Sequence, residues 1–287
     1  MQNLPTQFED MYNEDLRNFG EKVTFDLDCI QVEDVLKAHY ILADYFTDPS
    51  AENREEMLVG VRDYNLLGSA LGRQVVEYGG RKKYTDKMDI CSTLFFGLVK
   101  DHAFYDGNKR TALLILLFHL QKNGYYPTQE FKKFESLVLS VAESSLSTKY
   151  ENVWKKFKHS DDSEIKTIAY ILRRLTAKKD HSYHLDITTK EFCDGLKEVG
   201  VEYTLEDKKI KFERTIKHWW KSEKKTYTIN FYGWTRPVQA KMARDTLSKL
   251  ELTDEYPSVN KMMTDKNSNI YRLICEFEQP LRRLKDE

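Results

Sequence analysis

The chain has 287 residues and a formal net charge of −1, from 45 basic and 46 acidic side chains. Hydrophobic residues make up 40% of it and aromatic residues 13%, which is enough apolar surface to offset the entropy of folding, so the composition excludes a disordered chain. The near-neutral charge argues against a protein that coats a polyanion. Because a domain typically has about 150 residues, the length predicts two domains.

Membrane and secretory classes find no support in the sequence. The longest apolar stretches, Leu94 to Val99 and Ala112 to Leu120, are shorter than the roughly 20 residues that a membrane helix needs. The N-terminus lacks the basic and apolar regions of a secretory signal. Four cysteines are scattered singly with no CxxC pair, which favours reduced thiols. We therefore expect a cytoplasmic protein without membrane contact.

Residues 1–158 read as a helical domain with its core at about residues 30–158. Apolar spacing predicts a first helix over Gln31 to Phe46, ended by Pro49. A helix over Thr111 to Lys122 is apolar nearly all round, which predicts the central helix of a bundle. The other predicted helices are Asn65 to Glu77, Lys87 to Lys100, Phe131 to Ser145 and Tyr150 to Phe157.

The pattern changes after residue 158. Residues 159–180 read as one amphipathic connecting helix, and residues 181–287 as an α+β domain with a helical tail. This domain starts with a capping box, Thr188 to Glu191. Two or three strands follow, then a helix that Pro237 begins, and a last helix that Pro280 should kink. The predicted fold class is thus multidomain, an all-α bundle followed by a smaller α+β domain.

The segment richest in chemistry is DHAFYDGNKR, residues 101–110, which precedes the central helix. His102 can take a proton near neutral pH, and Asp106 offers the oxygen ligand that Mg²⁺ prefers. Gly107 allows a tight turn, after which three donor-rich residues meet the exposed N–H groups of a helix N-terminus. This combination suits a nucleoside triphosphate with Mg²⁺. The alternative from residue types alone is a charged interhelical loop whose side chains cap helix ends.

HAFYDGNKR resembles the core motif of the Fic/Doc family, H-x-F-x-[D/E/N]-[A/G]-N-[G/K]-R, at every constrained position. Residues 61–71, VRDYNLLGSAL, are similar to a helix typical of Doc-like (death-on-curing) proteins, as is the later Asn123-Gly124-Tyr125. The resemblance extends over about residues 30–158 and implies a small all-α Fic/Doc bundle. It also implies an enzyme that transfers part of a nucleotide to a protein.

The resemblance implies a role for each motif residue. His102 would be the general base that deprotonates a hydroxyl of a protein target, and Phe104 would anchor the loop in the core. Asp106 would hold Mg²⁺.

The same resemblance assigns the nucleotide contacts. Gly107 and Asn108 would approach phosphate oxygens. Lys109 and Arg110 would bind the triphosphate and stabilise the charge that develops on the transferred group.

Two positions separate the branches of the family. Lys109 stands where adenylyltransferases of the Fic type carry glycine, and Leu113 where they carry a second arginine. Both match the Doc type, which implies transfer of the γ-phosphate of ATP to a threonine of elongation factor Tu. Gly107 and Ala103 differ from the usual Doc-type residues. The alternatives are a Fic-type adenylyltransferase and a non-catalytic protein that binds nucleic acid or an antitoxin.

A basic loop is the first of two further candidate surfaces for partners. The basic loop with Tyr78, Arg81, Lys82, Lys83 and Tyr84 occupies the place of the family's flap over the target peptide. A Doc-like protein is also expected to have a cognate antitoxin.

Between Lys208 and Lys225, eight basic residues alternate with aromatic residues and only two acids. This composition suits contact with RNA, and the alternatives are a solvated strand face or protein docking.

Overall fold

The computed structural model describes residues 6–20, 25–26, 28–49, 54–128, 131–178, 187–217, 222–253 and 267–285. The chain divides into two compact units. The first combines Asn3–Lys179 with Ile270–Glu287, and the second contains Asp180–Asn269. Within the described residues, no helix combines the length and the apolar character needed to cross a bilayer.

The first unit is mainly helical. Its helices before residue 180 are α1 (Glu9–Asn18), α2 (Val32–Thr47), α3 (Tyr64–Gly72), α4 (Lys87–Lys100), α5 (Asn108–Lys122), α6 (Phe131–Ala142), α7 (Leu146–Lys149), α8 (Glu151–Phe157) and α9 (Ser163–Leu175). Short 3₁₀ turns lie at Thr6–Phe8 and Arg73–Val75. Aspartates start two of the helices that flank the motif: Asp63 accepts from main-chain N–H groups of α3, and Asp86 from those of α4.

Helix α5 is the centre of this unit. Every residue from Arg110 to Gln121 is buried, and the neighbouring helices cover it on all sides. A helix without a polar face is stable only in such surroundings. The prediction of a central bundle helix is therefore confirmed, with its start three residues earlier than the apolar run alone indicated.

Two small sheets complete the first unit before residue 180. Strands β1 (Glu77–Tyr78) and β2 (Arg81–Lys82) form a hairpin whose two turn glycines both have positive φ. Strands β3 (Tyr125–Pro127) and β4 (Thr176–Lys178) pair antiparallel. The sequence predicted a loop at the first site and no strand at the second, because strands this short carry no alternating pattern.

Helix α9 differs from the predicted connecting helix over residues 159–180. Its apolar face, which includes Ile168 and Leu172, is buried in the core of the first unit. Strand β4 directly after it pairs with β3 of the same unit. The amphipathic pattern was read correctly, but an apolar face of this width needs a core to cover it, so the segment belongs to the first unit.

The second unit is α+β. Helix α10 (Thr189–Glu198) precedes a three-stranded antiparallel sheet of order β5 (Val201–Glu206), β6 (Lys209–Lys217) and β7 (Ser222–Asn230), and α11 (Ala240–Lys249) follows. The predicted capping box is present, with the Thr188 N–H donating to Glu191 Oε2 at 2.7 Å. Phe192, Ile210 and Phe212 lie in the core of this unit.

Pro237 does not begin a helix as predicted. It forms an isolated bridge with Thr188, and the Val238 N–H next to it donates to the Ile187 carbonyl at 3.0 Å. Helix α11 starts three residues later, at Ala240. The extended backbone that proline also favours is used here, because it pairs the chain with the segment that enters α10.

The helical tail consists of α12 (Asn267–Glu276) and α13 (Glu278–Arg283), which break at Phe277. Pro280 accounts for the break, because it has no N–H to donate to the carbonyl four residues earlier and its ring crowds that carbonyl. The tail was predicted as part of the second domain. Instead its apolar residues join the core of the first unit: Ile270, Leu273, Ile274, Phe277, Leu281 and Leu284.

Candidate active site

The loop between α4 and α5 contains the motif up to Gly107, and this glycine starts α5. Gly107 has φ of +74°, which a side chain strains, and a Cβ there would lie 2.5 Å from Met57 Cε. Its carbonyl accepts the first helical bond of α5, from the Thr111 N–H at 2.8 Å. The first turn of α5 is therefore formed by the last three residues of the motif, and main-chain N–H groups at such a helix start attract anions.

Asn108 closes the loop with its side chain. Its Oδ1 accepts from the Phe104 N–H at 2.9 Å, and its Nδ2 donates to the Phe104 carbonyl at 3.0 Å. Phe104 is buried and fastens the loop to the core. The side-chain amide of Asn108 therefore shapes the loop. The expected contact of Asn108 with phosphate would therefore be made by its main chain and not by its side chain.

His39 packs against the loop through Phe104, and the motif gave no indication of this role. Its ring stacks on Phe104 with 4.0 Å between centroids. Nε2 accepts from the Gly60 N–H at 3.3 Å, so the proton is on Nδ1, which donates to Thr111 Oγ1 at 3.1 Å. Burial lowers the pKa of His39 to about 3, so the ring is neutral. A histidine on the apolar face of a predicted helix was the signal that could have found it.

A second segment, residues 60–63, runs beside the motif loop and pairs with it. Val61 and Phe104 form an antiparallel bridge. The Ala103 carbonyl accepts from two consecutive N–H groups, those of Arg62 at 2.8 Å and Asp63 at 3.1 Å. The loop is thus held by main-chain bonds to the residues that lead into α3.

His102 lies at the exposed edge of this paired segment. Its φ is +48°, a left-handed conformation that costs a non-glycine residue roughly 1–2 kcal/mol. The guanidinium Nη2 of Arg62 donates to the His102 carbonyl. The imidazole is exposed to solvent, so it can exchange a proton with a reactant.

Asp106 and Lys109 complete the cluster that follows His102 along the chain. Both side chains are half-buried, and Asp106 Oδ1 accepts from the Gly107 N–H at the start of α5. The arrangement brings a base, a carboxylate and a cation to one short loop and helix start. Proton removal and anion binding are the two chemistries that these groups can perform.

Only Asp106 in this cluster suits a magnesium ion. In the part of the chain that the structure describes, no group of three or more His, Cys, Asp or Glu side chains could hold a metal. Mg²⁺ is commonly bound by one or two carboxylates while phosphate oxygens and water supply the other ligands. A single carboxylate beside an anion-binding helix start fits a Mg²⁺ ion that arrives with a triphosphate.

Arg110 is not part of the exposed cluster, which corrects its predicted contact with the triphosphate in this conformation. The side chain is 2% exposed. Its Nε donates to the Leu281 carbonyl at 2.8 Å, and its Nη2 contacts Glu55 Oε2 at 2.7 Å and the Arg282 carbonyl at 3.3 Å. The guanidinium also lies 4.6 Å from the centroid of the Phe46 ring. Arg110 therefore binds the tail to α5.

Glu55 is the counterion of two arginines. Besides Arg110 it pairs with Arg282, whose Nη1 lies 3.2 Å from Glu55 Oε1. The Glu55 N–H donates to the Phe46 carbonyl at 2.8 Å, which fixes its main chain. The two carbonyl groups that Arg110 contacts are at the C-terminal end of α13, where the helix dipole favours cations. Neither Glu55 nor Arg282 stands out in the sequence, because they lie far from the motif along the chain.

The predicted flap is the β1–β2 hairpin. Tyr78, Arg81, Lys82 and Lys83 are exposed, whereas Tyr84 is 5% exposed and belongs to the core. Lys82 and Lys83 are ion-paired with aspartates of the first unit. Tyr84 is therefore unsuited to contact a target, and the role of the other four residues stays a prediction.

The strand face of the second unit presents lysines that have partners. Glu213 pairs with Lys211 at 2.8 Å and Lys224 at 2.6 Å, and these cations lower the pKa of Glu213 to about 2. Residues 218–221 of the predicted RNA-binding segment, which include Trp219 and Trp220, lie outside the described residues. RNA contact through 208–225 stays a prediction, with part of its positive charge neutralised.

Comparison with known proteins agrees with the motif. The Fic/DOC family matches residues 29–120, which extend through most of α5. The toxin Doc of Mycolicibacterium smegmatis (strain ATCC 700084 / mc(2)155) is 36% identical over 84 residues. This match covers 29% of the chain and 65% of the relative, so the chain spans just under two thirds of that relative's length. No solved structure matches the chain.

The buried pair between Glu55 and Arg110 should stabilise the first unit. We expect Glu55→Gln to lower the free energy of unfolding by about 3 kcal/mol, because it leaves the charge of Arg110 buried without a counterion. Urea unfolding at neutral pH measures this change. Glu151→Gln is the matched control, since Glu151 forms an exposed pair with Lys155. Solvent screens such an exposed pair, so its loss should have little effect on stability, and an equal effect of both substitutions would contradict the prediction.

His39 should make the stability of the first unit depend on pH. The pKa of His39 is about 3 in the folded chain and about 6.5 when unfolded, so between these values only the unfolded chain binds the proton. Stability is therefore full above about pH 6.5 and falls as the pH decreases. We expect His39→Asn to lose about 2 kcal/mol less than the wild type between roughly pH 7 and pH 5. Urea unfolding at both pH values tests this, and identical losses would exclude it.

Proposed function

We propose that this chain, which is similar to the Fic/DOC family over residues 29–120 and to a toxin Doc, is a Doc-type toxin that transfers the γ-phosphate of ATP to a hydroxyl of a protein. The relative that it resembles is named a toxin. Because the match covers part of each chain, the reaction, the target and the partners are all part of the proposal.

The observation that carries the proposal is the position of His102. Its imidazole is exposed on a loop that main-chain bonds hold, and the N-terminus of α5 follows within six residues. A base beside an anion-binding helix start is the arrangement that phosphoryl transfer to a hydroxyl requires. A loop whose polar residues only capped helices would not need a strained, exposed histidine.

In the proposed step, a ring nitrogen of His102 takes the proton of the target hydroxyl as its oxygen attacks the γ-phosphorus. The bond between that phosphorus and the β–γ bridging oxygen breaks, and ADP leaves with the bond's electron pair. Lys109 and the main-chain N–H groups at the start of α5 offset the negative charge on the phosphates. Asp106 would hold Mg²⁺, which when bound neutralises charge on the β- and γ-phosphate oxygens.

Lys109 favours phosphate transfer over AMP transfer. A glycine at that position would let phosphate lie against bare main chain, whereas a lysine adds a point charge and occupies that space. At Gly107 the chain matches adenylyltransferases of the Fic type and differs from the usual Doc-type residue, so AMP transfer is the second candidate. Asn108 and Arg110 support the reaction indirectly, because their side chains hold the loop and the tail in place.

The proposed partners follow from the family. Elongation factor Tu is the first candidate target, with the hairpin β1–β2 as the surface that receives the target peptide. A separately encoded antitoxin would silence the protein, and both would meet it in the cytoplasm.

Labelled ATP distinguishes the two transfer reactions and the non-catalytic alternative. The protein is incubated with a cell lysate, or with purified elongation factor Tu, and with ATP labelled at the γ- or the α-phosphate. We expect the γ-label to reach protein and the α-label to remain in nucleotide. Transfer of the α-label would indicate AMP transfer. Transfer of neither label would favour a protein that only binds nucleic acid or an antitoxin.

His102→Ala should lower the transfer rate by at least about a hundredfold, because the hydroxyl then lacks its base. The melting temperature should hardly change, since the side chain is exposed. The wild type and the variant are assayed in the same lysate, so kinases already present contribute equally to both rates. His159→Ala is the matched control, as His159 is exposed on a turn outside the cluster. An undiminished rate in His102→Ala would remove His102 from the base role.

A further inference from the structure

Arg62 contacts the histidine of the motif through the main chain. Its guanidinium Nη2 donates to the His102 carbonyl, and its own N–H donates to the next carbonyl, that of Ala103, at 2.8 Å. One residue therefore binds two consecutive carbonyl groups at the point where φ is positive. Arg62 lies outside the motif, and no sequence pattern assigned it a role in the site.

The main chain of Arg62 is itself fixed. The next residue, Asp63, caps α3 by accepting from the N–H groups of Asn65 at 2.8 Å and Leu66 at 3.2 Å. The Asp63 N–H also donates to the Ala103 carbonyl at 3.1 Å. The Arg62 side chain therefore reaches the His102 carbonyl from a backbone that α3 and the loop hold rigid.

On the other side of His102 the chain is held less closely. The Asp101 N–H donates to the Gly97 carbonyl at 2.8 Å and ends α4. His102 then takes the left-handed conformation, which a non-glycine residue leaves unless its surroundings hold it. Among the described residues, the side chain that donates to the His102 carbonyl is the guanidinium of Arg62.

We propose that Arg62 is a positioning residue for His102: its guanidinium holds the His102 carbonyl in the left-handed turn and so aims the imidazole at the start of α5. The consequence for the reaction rests on the proposed function. Arg62 does not touch the reacting atoms in this role. It sets the direction in which a base already present can act, and a small displacement of a base lowers the rate without weakening the binding of nucleotide.

Arginine suits this position better than lysine. Its planar guanidinium presents several donors in fixed directions, whereas lysine offers a single flexible ammonium. Arg62→Lys should therefore retain part of the effect, because one donor still reaches the carbonyl. Arg62→Met keeps the apolar stem and removes every donor.

The kinetic test compares Arg62→Met and Arg62→Lys with the wild type in transfer of the γ-label. We expect Arg62→Met to lower kcat about tenfold while the KM for ATP stays within about twofold, and Arg62→Lys to lie between. The melting temperature should match that of Arg17→Met, the control for loss of an exposed arginine. A wild-type kcat in Arg62→Met overturns the proposal, as does a loss that follows thermal stability or that lysine does not partly restore.

The dependence of kcat on pH separates positioning from charge. An arginine that acts through geometry lowers the plateau of the pH–rate profile and leaves the midpoint of its acid limb in place. A moved midpoint with an unchanged plateau would mean that Arg62 acts on His102 through its charge, and would overturn the proposal.

Nuclear magnetic resonance tests the same contact without activity, so the proposal survives or fails apart from the proposed function. The Cε1–Hε1 signal of His102 is assigned by its loss in His102→Gln. We expect this signal to shift or broaden in Arg62→Met and to stay unchanged in Arg17→Met. If the wild type transfers neither label, the proposed function fails. An unchanged His102 signal in Arg62→Met then decides against the positioning role.

Discussion

The pairing of residues 60–63 with the loop that ends at α5 is the constraint on which the candidate site depends. Two N–H groups converge on the Ala103 carbonyl, and a bridge joins Val61 to Phe104. With Phe104 buried against a neutral His39, the loop has a fixed underside. Strain at His102 can persist because these contacts hold the chain that directly follows it.

Some polar side chains of the motif stabilise the loop, and others are accessible to a reactant. Asn108 and Arg110 are two of the polar residues that the sequence pattern places on phosphate, and the side chains of both have buried intramolecular partners here. His102, Asp106 and Lys109 remain where a reactant can reach them. The division has a physical basis, since side chains on one turn of a helix point in different directions and α5 is surrounded by core on most sides.

The tail makes the first unit discontinuous in sequence. Arg110 accounts for part of its attachment, because carbonyl groups at the end of α13 and the carboxylate of Glu55 satisfy a buried guanidinium. A cation at the C-terminal end of a helix is favourable, and an unpaired one in the core would not be. The second unit has a separate core and a sheet face on which carboxylates partner some of the lysines.

Local patterns in the sequence determined most of the secondary structure and the position of the candidate site. Helical spacing fixed α2, α4 and α5 within a few residues, the box from Thr188 to Glu191 began α10, and the motif marked the loop that carries His102. Each of these signals depends on residues a few positions apart, where the period of a helix or the geometry of a cap leaves a direct trace.

Only the tertiary structure decided which residues meet across long separations. Glu55 and Leu281 reach Arg110, Arg62 reaches His102, and the tail leaves the unit that precedes it to complete the first core. Apolar spacing indicates that one face of a helix must be buried, but it does not indicate which part of the chain covers that face. The partner of a charged side chain is likewise known only once folding brings the two together. The contact of Arg110 with the tail could therefore not be predicted from the motif that contains it.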